Sequence, residues 1–475
     1  MEIVALTVPA LLLAGITFVL GPRRGVIVLF LVLPFGAAAA FNLPVAGNAS
    51  IIVADLVALS LIASLAIRPA LLSKSLALMV PGQPGFLLVL LYVIAVVVTI
   101  AAPRIGEGVT DVFAIGRVAD QVGIVSTPLA PSGGNLTQLF RLALGVGTFF
   151  AVAAAFRTRP EGGMVVALGV ATIVHLFLGA LDVATFEAGI DALLEPIRTA
   201  NYAIAVDHKM GGMVKRMIGG FPEASAFGYF SLALFGFWAQ YATSGGASRW
   251  AVPATLALMV AIAWSASTSA YVASGAFLAF LALRAVSEKR ITTGAAIWVG
   301  SLVTCVVLGL ACLVLAITAI PEVYLFFDRL LFSKLESDSG IERGSWNAQA
   351  WRNFLDTWGV GAGVGSVRAS NWLLATLASI GVAGTLVYFA FLWSVFRLLP
   401  MSRLRRDRET SAQLSALRSG CVALLLSALL TKATPDLELI FFALVGAMVG
   451  LAGHRRIEPS NATSSSRNAS ALRTA

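Results

Sequence analysis

Two stretches of this chain carry residue types fit for chemistry, and the first is suited to holding a bulky anion. In the first, Glu342, Arg343 and Trp346 precede Trp351 and Arg352, and these lead into alternate glycines, Gly359, Gly361, Gly363 and Gly365, closed by Ser366. Glycines let a backbone approach an anion and present its N–H groups, while arginine forks match phosphate oxygens and stay charged at any working pH. A pyrophosphate fits that chemistry. Alternate glycines also serve a loop that re-enters a helix bundle in close packing, and spacing alone does not choose between the two. No Gly-Lys-Ser/Thr closes the run, so it is not a P-loop. In the second stretch, Lys215 and Arg216 are followed by Gly219, Gly220, Phe221, Pro222, Glu223 and Ser225. A carboxylate at a helix start is favoured by the helix N-terminus, and burying one requires a partner. Glu223 therefore reads either as a functional acid or as an ordinary cap at a membrane boundary.

Other polar residues inside apolar runs carry weaker signals. Asp55, His175 and Asp182 are ionisable groups in or near such runs; each is a functional candidate or the partner of a neighbouring helix. The Ser/Thr-rich stretch from Ser265 to Ser269, with Tyr271 beyond it, offers hydroxyls to a sugar or to helix carbonyls. No His, Cys or carboxylate cluster has metal-ligand spacing, so no metal site is expected.

The elements that must position these residues are membrane helices. Of 475 residues 58% are hydrophobic and 12% charged, against roughly 45–50% and about 25% in a typical soluble domain. A span needs ~20 mostly apolar residues because a helix must satisfy its own amides across lipid. About thirteen segments qualify, near 3–20, 25–41, 51–67, 85–102, 138–156, 163–183, 223–243, 250–266, 270–286, 293–320, 372–396, 414–431 and 436–453. The first is read as a retained span. Trp250 to Val286 reads either as two short helices joined near Ser267 or as a broken, re-entrant pair. The expected fold is all-α, one polytopic bundle over 1–453 of about 12–13 spans, with a large loop before the last three. The tail 454–475, rich in Ser, Asn and Ala, is expected to be disordered and cytoplasmic.

The net charge of +9 hints at nucleic acid until the basic residues are placed. Arg23 and Arg24, Arg68 and Lys74, Arg157 and Arg159, Arg249, Arg284 to Arg290, Arg397 to Arg408, and Arg455 and Arg456 fall on alternate connections. That is the positive-inside pattern, and no nucleic-acid partner is expected. Three long connections, near 103–137, 184–222 and 321–371, face the other side. The first reads as an irregular loop. The second contains a candidate interfacial helix from Phe186 to Ile197. Cys305, Cys312 and Cys421 all lie in apolar runs, where a small hydrophobe is the usual role.

On these residues the chain resembles the O-antigen ligase/polymerase superfamily, and within it the exopolysaccharide polymerases. Arg216, Gly219, Phe221 and Glu223 match a loop arginine before a Gly-x-Phe turn and a polar entry to a span; Ser267 to Tyr271 match a Ser-Thr-Ser-x-Tyr segment. Arg343 and Trp346 match the long loop, and Gly361 to Ser366 the glycine run. The ligase branch has a histidine followed by Asn, Ser or Gln, nine residues and Gly-x-x-Gly. Here Asn371, Gly381 and Gly384 keep the spacing, but Ser370 stands at the histidine position.

The resemblance implies a polymerase of the bacterial cytoplasmic (inner) membrane that joins undecaprenyl-pyrophosphate-linked oligosaccharides at its outer face, without metal or other cofactor. Its expected catalytic residues are Arg216, Glu223, Glu342 and Arg343. Arg352, Arg368, Ser370, Asn371, Gly361, Gly363, Gly365 and Tyr271 are the expected substrate-binding residues. Expected partners are membrane lipids, a flippase and a chain-length regulator. The alternatives are a ligase onto a lipid or protein acceptor, a lipid-linked sugar flippase or transporter, and a shape-and-division-type peptidoglycan glycosyltransferase.

Overall fold

A computed structural model describes residues 1–44, 49–118, 121–158, 163–201, 204, 209–210, 214–287, 338–401 and 408–453. The protein is mostly helical, at 74%. Among the described residues six helices are long and apolar enough to cross a membrane, or up to seven if one bent pair counts as a span. The expected span at 293–320, the stretch 321–337 and the tail 454–475 lie outside the described residues.

The chain opens with β1 (Glu2–Ile3) and α1 (Thr7–Val32). A straight helix of 26 residues would be about 39 Å long, yet the Thr7 hydroxyl donates to the Ala40 carbonyl at 2.6 Å. The chain between Val32 and Ala40 is too short to return that far. The helix therefore doubles back at Gly21, whose φ of 71° and ψ of 177° break it before Pro22. Its two legs correspond to the segments read near 3–20 and 25–41. The returning leg ends in β2 (Ala39–Leu43), which pairs antiparallel with β1 and with β3 (Ala49–Ile52). Then come α2 (Val53–Ala66) and α3 (Pro69–Leu76), bent by 100° at the Arg68–Pro69 joint.

α4 (Pro84–Ile105) leads into an antiparallel hairpin, β4 (Asp111–Val118) and β5 (Gln121–Pro128), where an irregular loop was expected. α5 (Gly133–Thr158) and α6 (Gly163–Glu187) follow. The interfacial helix expected from Phe186 to Ile197 does not form as one α-helix. Gly189 adopts φ 70°, and beyond it Asp191–Ile197 is a 3-10 turn containing Pro196. After the short strands β6 (Lys209–Met210) and β7 (Val214–Lys215), α7 (Ala224–Thr243) enters the bundle, followed by α8 (Ala251–Ser265) and α9 (Thr268–Ser287). α8 ends where Ala266 takes the left-handed conformation, φ 47°. Ala270 lies against Gly228 near the start of α7, and Arg284 bonds Gln240 near its end. α9 thus runs parallel to α7, and Trp250 to Val286 forms two separate legs.

The last elements are α10 (Asp338–Asp356), α11 (Trp372–Met401), α12 (Arg408–Thr431) and α13 (Glu438–Gly453). α10 was read as loop. Its helix carries Ala350 and Asn353 on a buried face, and Gln349 and Asn353 both donate to the Asp111 carbonyl at 2.6 Å, tying it to the β4–β5 hairpin. α11 is not one straight span. Trp372 and Tyr388 would be about 24 Å apart along an unbroken helix, but their rings lie 5.1 Å apart. The break is Gly381, at φ 65° and ψ −168°.

One apolar core runs from Ala10 to Leu451, with α7 and α13 almost wholly buried in it. Without a hydrophobic driving force between helices in lipid, close backbone approach through small residues holds such a bundle. Gly446 and Gly450 on α13 meet the backbone of Phe149 and Ala153 on α5, and Gly236 on α7 meets Ser419 and Gly420 on α12. The basic connections gather at one end: Arg23 bonds Thr158, Arg157 packs on Gly453, and Arg408 on Gly245. The strands, the 3-10 turn and α10 occupy the other.

A Cβ at Gly381 would collide with the carbonyls of Gly359 and Val360, and the left-handed backbone is itself strained for alanine, at a cost of about 1–3 kcal/mol. Gly381→Ala should lower the melting temperature of the detergent-solubilised protein by several degrees. Gly344→Ala, with open space around its Cβ, should leave it unchanged.

Candidate functional site

The turn that carries Arg216 and Glu223 is built on a carboxylate one turn before the end of α6. Asp182 is fully buried. Its Oδ1 lies 2.5 Å from the Arg198 guanidinium and 3.1 Å from Lys215 Nζ. Its Oδ2 accepts the amides of Ile218 (2.9 Å) and Gly219 (3.1 Å). Arg198 also donates to the Gly219 carbonyl at 3.0 Å, and the Gly220 carbonyl accepts the Ala37 amide at 2.8 Å. Residues 215–220 are thereby pinned between α6 and the returning leg of α1. Arg216 projects from the pinned turn, with its Nε 3.4 Å from the Ser265 carbonyl at the broken end of α8.

Glu223 sits at the N-cap position of α7, yet its side chain makes no capping bond. It accepts the Ser225 hydroxyl and turns toward Arg343 on α10, 4.0 Å away. The two side chains are 35% and 52% exposed. So open a pair contributes on the order of 0–1 kcal/mol, which leaves both groups free to exchange partners. Trp346, one turn further along α10, lies under the Arg368 guanidinium at 4.5 Å. The Arg368 Nε is buried and makes no hydrogen bond among the described residues.

Burial pulls the Arg216 guanidinium below its ordinary value; Glu223 and Tyr271 oppose that shift, and Arg343 adds to it. Burial does the same to Arg368, opposed by Glu223 and Glu342 and reinforced by Arg343. An arginine stays protonated despite such a shift. Both guanidinium groups are half-buried, with carboxylates near enough to offset part of the effect of burial. Six residues from four distant stretches thus share one electrostatic neighbourhood: Arg216, Glu223, Tyr271, Glu342, Arg343 and Arg368. Three guanidinium groups there face two carboxylates.

The other residues singled out in the sequence stand outside that group of six. Arg352 is exposed and nine residues from Arg343, about two and a half turns along α10 and so on its opposite face. Ser370 is buried, with its amide donating to Asn347 Oδ1 at 2.7 Å. Asn371 caps α11, its Oδ1 accepting the amides of Leu373 and Leu374. Gly361, Gly363 and Gly365 all have φ above 80° and press on the backbones of α11, α4 and α5 respectively. The amides of Ala362, Gly363 and Val364 are taken by Ala378, Ser379 and Thr99. The glycine run packs the loop into the bundle; those N–H groups do not face a ligand. His175 bonds Ser231 at 2.7 Å and stacks on Phe227, a structural role.

The sequence marked Asp182 only weakly, placed Lys215 beside Arg216 without an anionic partner, and gave Arg198 no role. Their shared signal was a carboxylate near the end of an apolar run followed by basic residues in the next loop. Which cation reached it depended on the path of 184–220.

No model of a known protein family matches this chain, and no curated protein is similar to it. Fold and site together define a class, a multi-pass helical membrane protein with a cationic mouth at the end opposite its basic connections. Replacing Asp182 with alanine would strand two buried cations, a loss of about 3–5 kcal/mol. Asp182→Ala should yield little monodisperse protein on size exclusion, whereas Glu223→Gln, at an exposed position, should purify like wild type.

Proposed function

We propose that this protein is a membrane glycosyltransferase that polymerises oligosaccharide units carried on undecaprenyl pyrophosphate, working at the outer face of a bacterial cytoplasmic membrane. The observation that carries this reading is the convergence of Arg216, Arg343 and Arg368 beside Glu223 at one mouth of a membrane bundle. A lipid-linked diphosphate is an anion delivered from the bilayer, and arginine forks bind its oxygens bidentately. The partly unpartnered Arg368 and the loosely held Arg343 are groups such an anion would complete.

In the proposed reaction an acceptor hydroxyl oxygen forms a bond to the anomeric carbon of the donor sugar. The bond from that carbon to the phosphate oxygen breaks, and its electron pair leaves with the pyrophosphate. Arg216, Arg343 and Arg368 stabilise the charge gathering on the leaving group. Glu223 takes the proton from the acceptor hydroxyl once the anion has drawn Arg343 away, and it is close enough to the mouth to orient that hydroxyl. Glu342 tunes the same field from the exposed side of α10. Tyr271, which lends its hydroxyl to the Ala263 carbonyl, lines the Arg216 side. The pyrophosphate leaves readily, so the chemistry asks for no metal or nucleotide. A flippase to supply the lipid-linked units and a chain-length regulator are the partners this role calls for.

In proteoliposomes supplied with undecaprenyl-pyrophosphate-linked repeat units, Arg216→Ala and Arg343→Ala should each cut polymer formation by about 10²–10³-fold, with chain length read on a gel. Arg352→Ala should retain wild-type output. Full-length polymer from well-expressed Arg216→Ala and Arg343→Ala proteins would overturn the assignment.

A further inference from the structure

Behind the mouth, between α1, α2, α5, α7 and the turn that joins α12 to α13, lies a cavity of about 230 Å³. Its polar lining is Asp55, Arg141, Asp436 and Glu438, and Phe221 and Phe230 contribute aromatic walls. Asp55 is 4% exposed and Asp436 9%. Each engages one oxygen only. Asp55 Oδ2 accepts the Ile52 amide at 3.2 Å and Asp436 Oδ1 the Glu438 amide at 3.1 Å, while the second oxygen of each has no hydrogen-bond partner among the described residues. Both side chains are buried among the helices, yet neither unpaired oxygen is sealed off by protein, so each opens onto the cavity. Two acceptors with spare capacity lining one cavity, from α2 and from the turn before α13, point to an occupant that donates hydrogen bonds.

The turn bearing Asp436 and Glu438 is held rigidly. Trp372 and Tyr388 both donate to the Pro435 carbonyl, Tyr229 donates to the Leu437 carbonyl, and Lys432 pairs with Glu438. Glu438 itself sits at φ 67°, a conformation a non-glycine residue keeps only when its surroundings impose it. Pro222 lines the cavity while Glu223, its neighbour in sequence, faces Arg343. The cavity and the cationic mouth share that wall.

We infer that this cavity is a subsite for one sugar ring, with hydroxyls donated to Asp55 and Asp436 and the apolar face of the ring against Phe221 and Phe230. A neutral, hydroxyl-rich ring suits a lining that alternates carboxylates, a guanidinium and aromatic walls, and the carboxylates would repel a second phosphate. Room for several waters, at about 30 Å³ each, matches the size of a single ring. Among the described residues no group of His, Cys, Asp and Glu has the geometry to hold a metal ion, which disfavours a divalent cation as occupant. The inference rests on the proposed function and assigns the sugar next to the pyrophosphate to this cavity.

The test uses the full-length protein in lipid nanodiscs and native mass spectrometry. Its two probes are bare undecaprenyl pyrophosphate and the undecaprenyl-pyrophosphate-linked oligosaccharides extracted from cells that express the protein. Wild type should hold the glycosylated carrier about tenfold or more tighter than the bare one. Asp55→Asn and Asp436→Asn should each bring that ratio toward one without changing affinity for the bare carrier. Ala226→Phe, which fills the cavity from the α7 wall without removing a carboxylate, should do the same and keeps the test decisive if a carboxylate variant misfolds. A ratio of one in wild type, or an unchanged ratio in folded Ala226→Phe, overturns the sugar subsite and leaves the proposed function standing where the bare carrier binds. Binding of neither carrier overturns the proposed function, and this inference with it.

Discussion

A single buried carboxylate, Asp182, holds the part of the molecule on which everything at the mouth depends. Taking a carboxylate and two cations out of water is unfavourable unless each lone pair is used, and here two cations and two backbone amides use them. The ammonium of Lys215 and the guanidinium of Arg198 come from opposite ends of a long connection. Their meeting on one acid therefore dictates where that connection begins and ends. The amides of Ile218 and Gly219 fix the turn that follows Lys215, so Arg216 emerges in one direction and α7 starts in another.

The glycine run does the complementary work on the other wall. Three successive close approaches, to α11, α4 and α5, are possible only without side chains, and they bring the loop after α10 down into the bundle. Arg368 arrives at the mouth because of that packing, resting on Trp346. The residues that handle charge are thus separate from those that make the close approach. The amides of Ala362, Gly363 and Val364, spent on two helix carbonyls and the Thr99 hydroxyl, are unavailable to a ligand.

Charge is segregated across a thin wall. Arginines dominate outside Phe221 and Pro222, and carboxylates dominate the cavity inside. Such an arrangement sorts a substrate with an anionic carrier at one end and neutral, hydrogen-bond-donating groups beside it. It would have little use for a small ion alone. The broken helices serve the same end: α8 stops at Ala266 and α11 doubles at Gly381 on the side of the bundle where the polar loops gather, so irregular backbone lines protein rather than lipid.

Hydropathy by itself determined that this is a helical membrane protein, since runs of ~20 apolar residues admit no other way to satisfy the backbone in lipid. It also marked Arg216, Glu223 and Arg343 as unusual, because charge beside a membrane boundary stands out against an apolar background. Sequence could not show that α10 is a helix, because its apolar positions are few and its face is buried by Ala350 and Asn353 against a hairpin formed far away in the chain. Nor could it separate the two roles open to the glycines, which differ only in what lies opposite them. Asp182 and Asp55 looked alike as isolated acids in apolar runs. Only the tertiary structure gave one of them two cations and left the other with a free oxygen facing a cavity, because burial makes a charge depend on its neighbours and those neighbours come from distant parts of the chain.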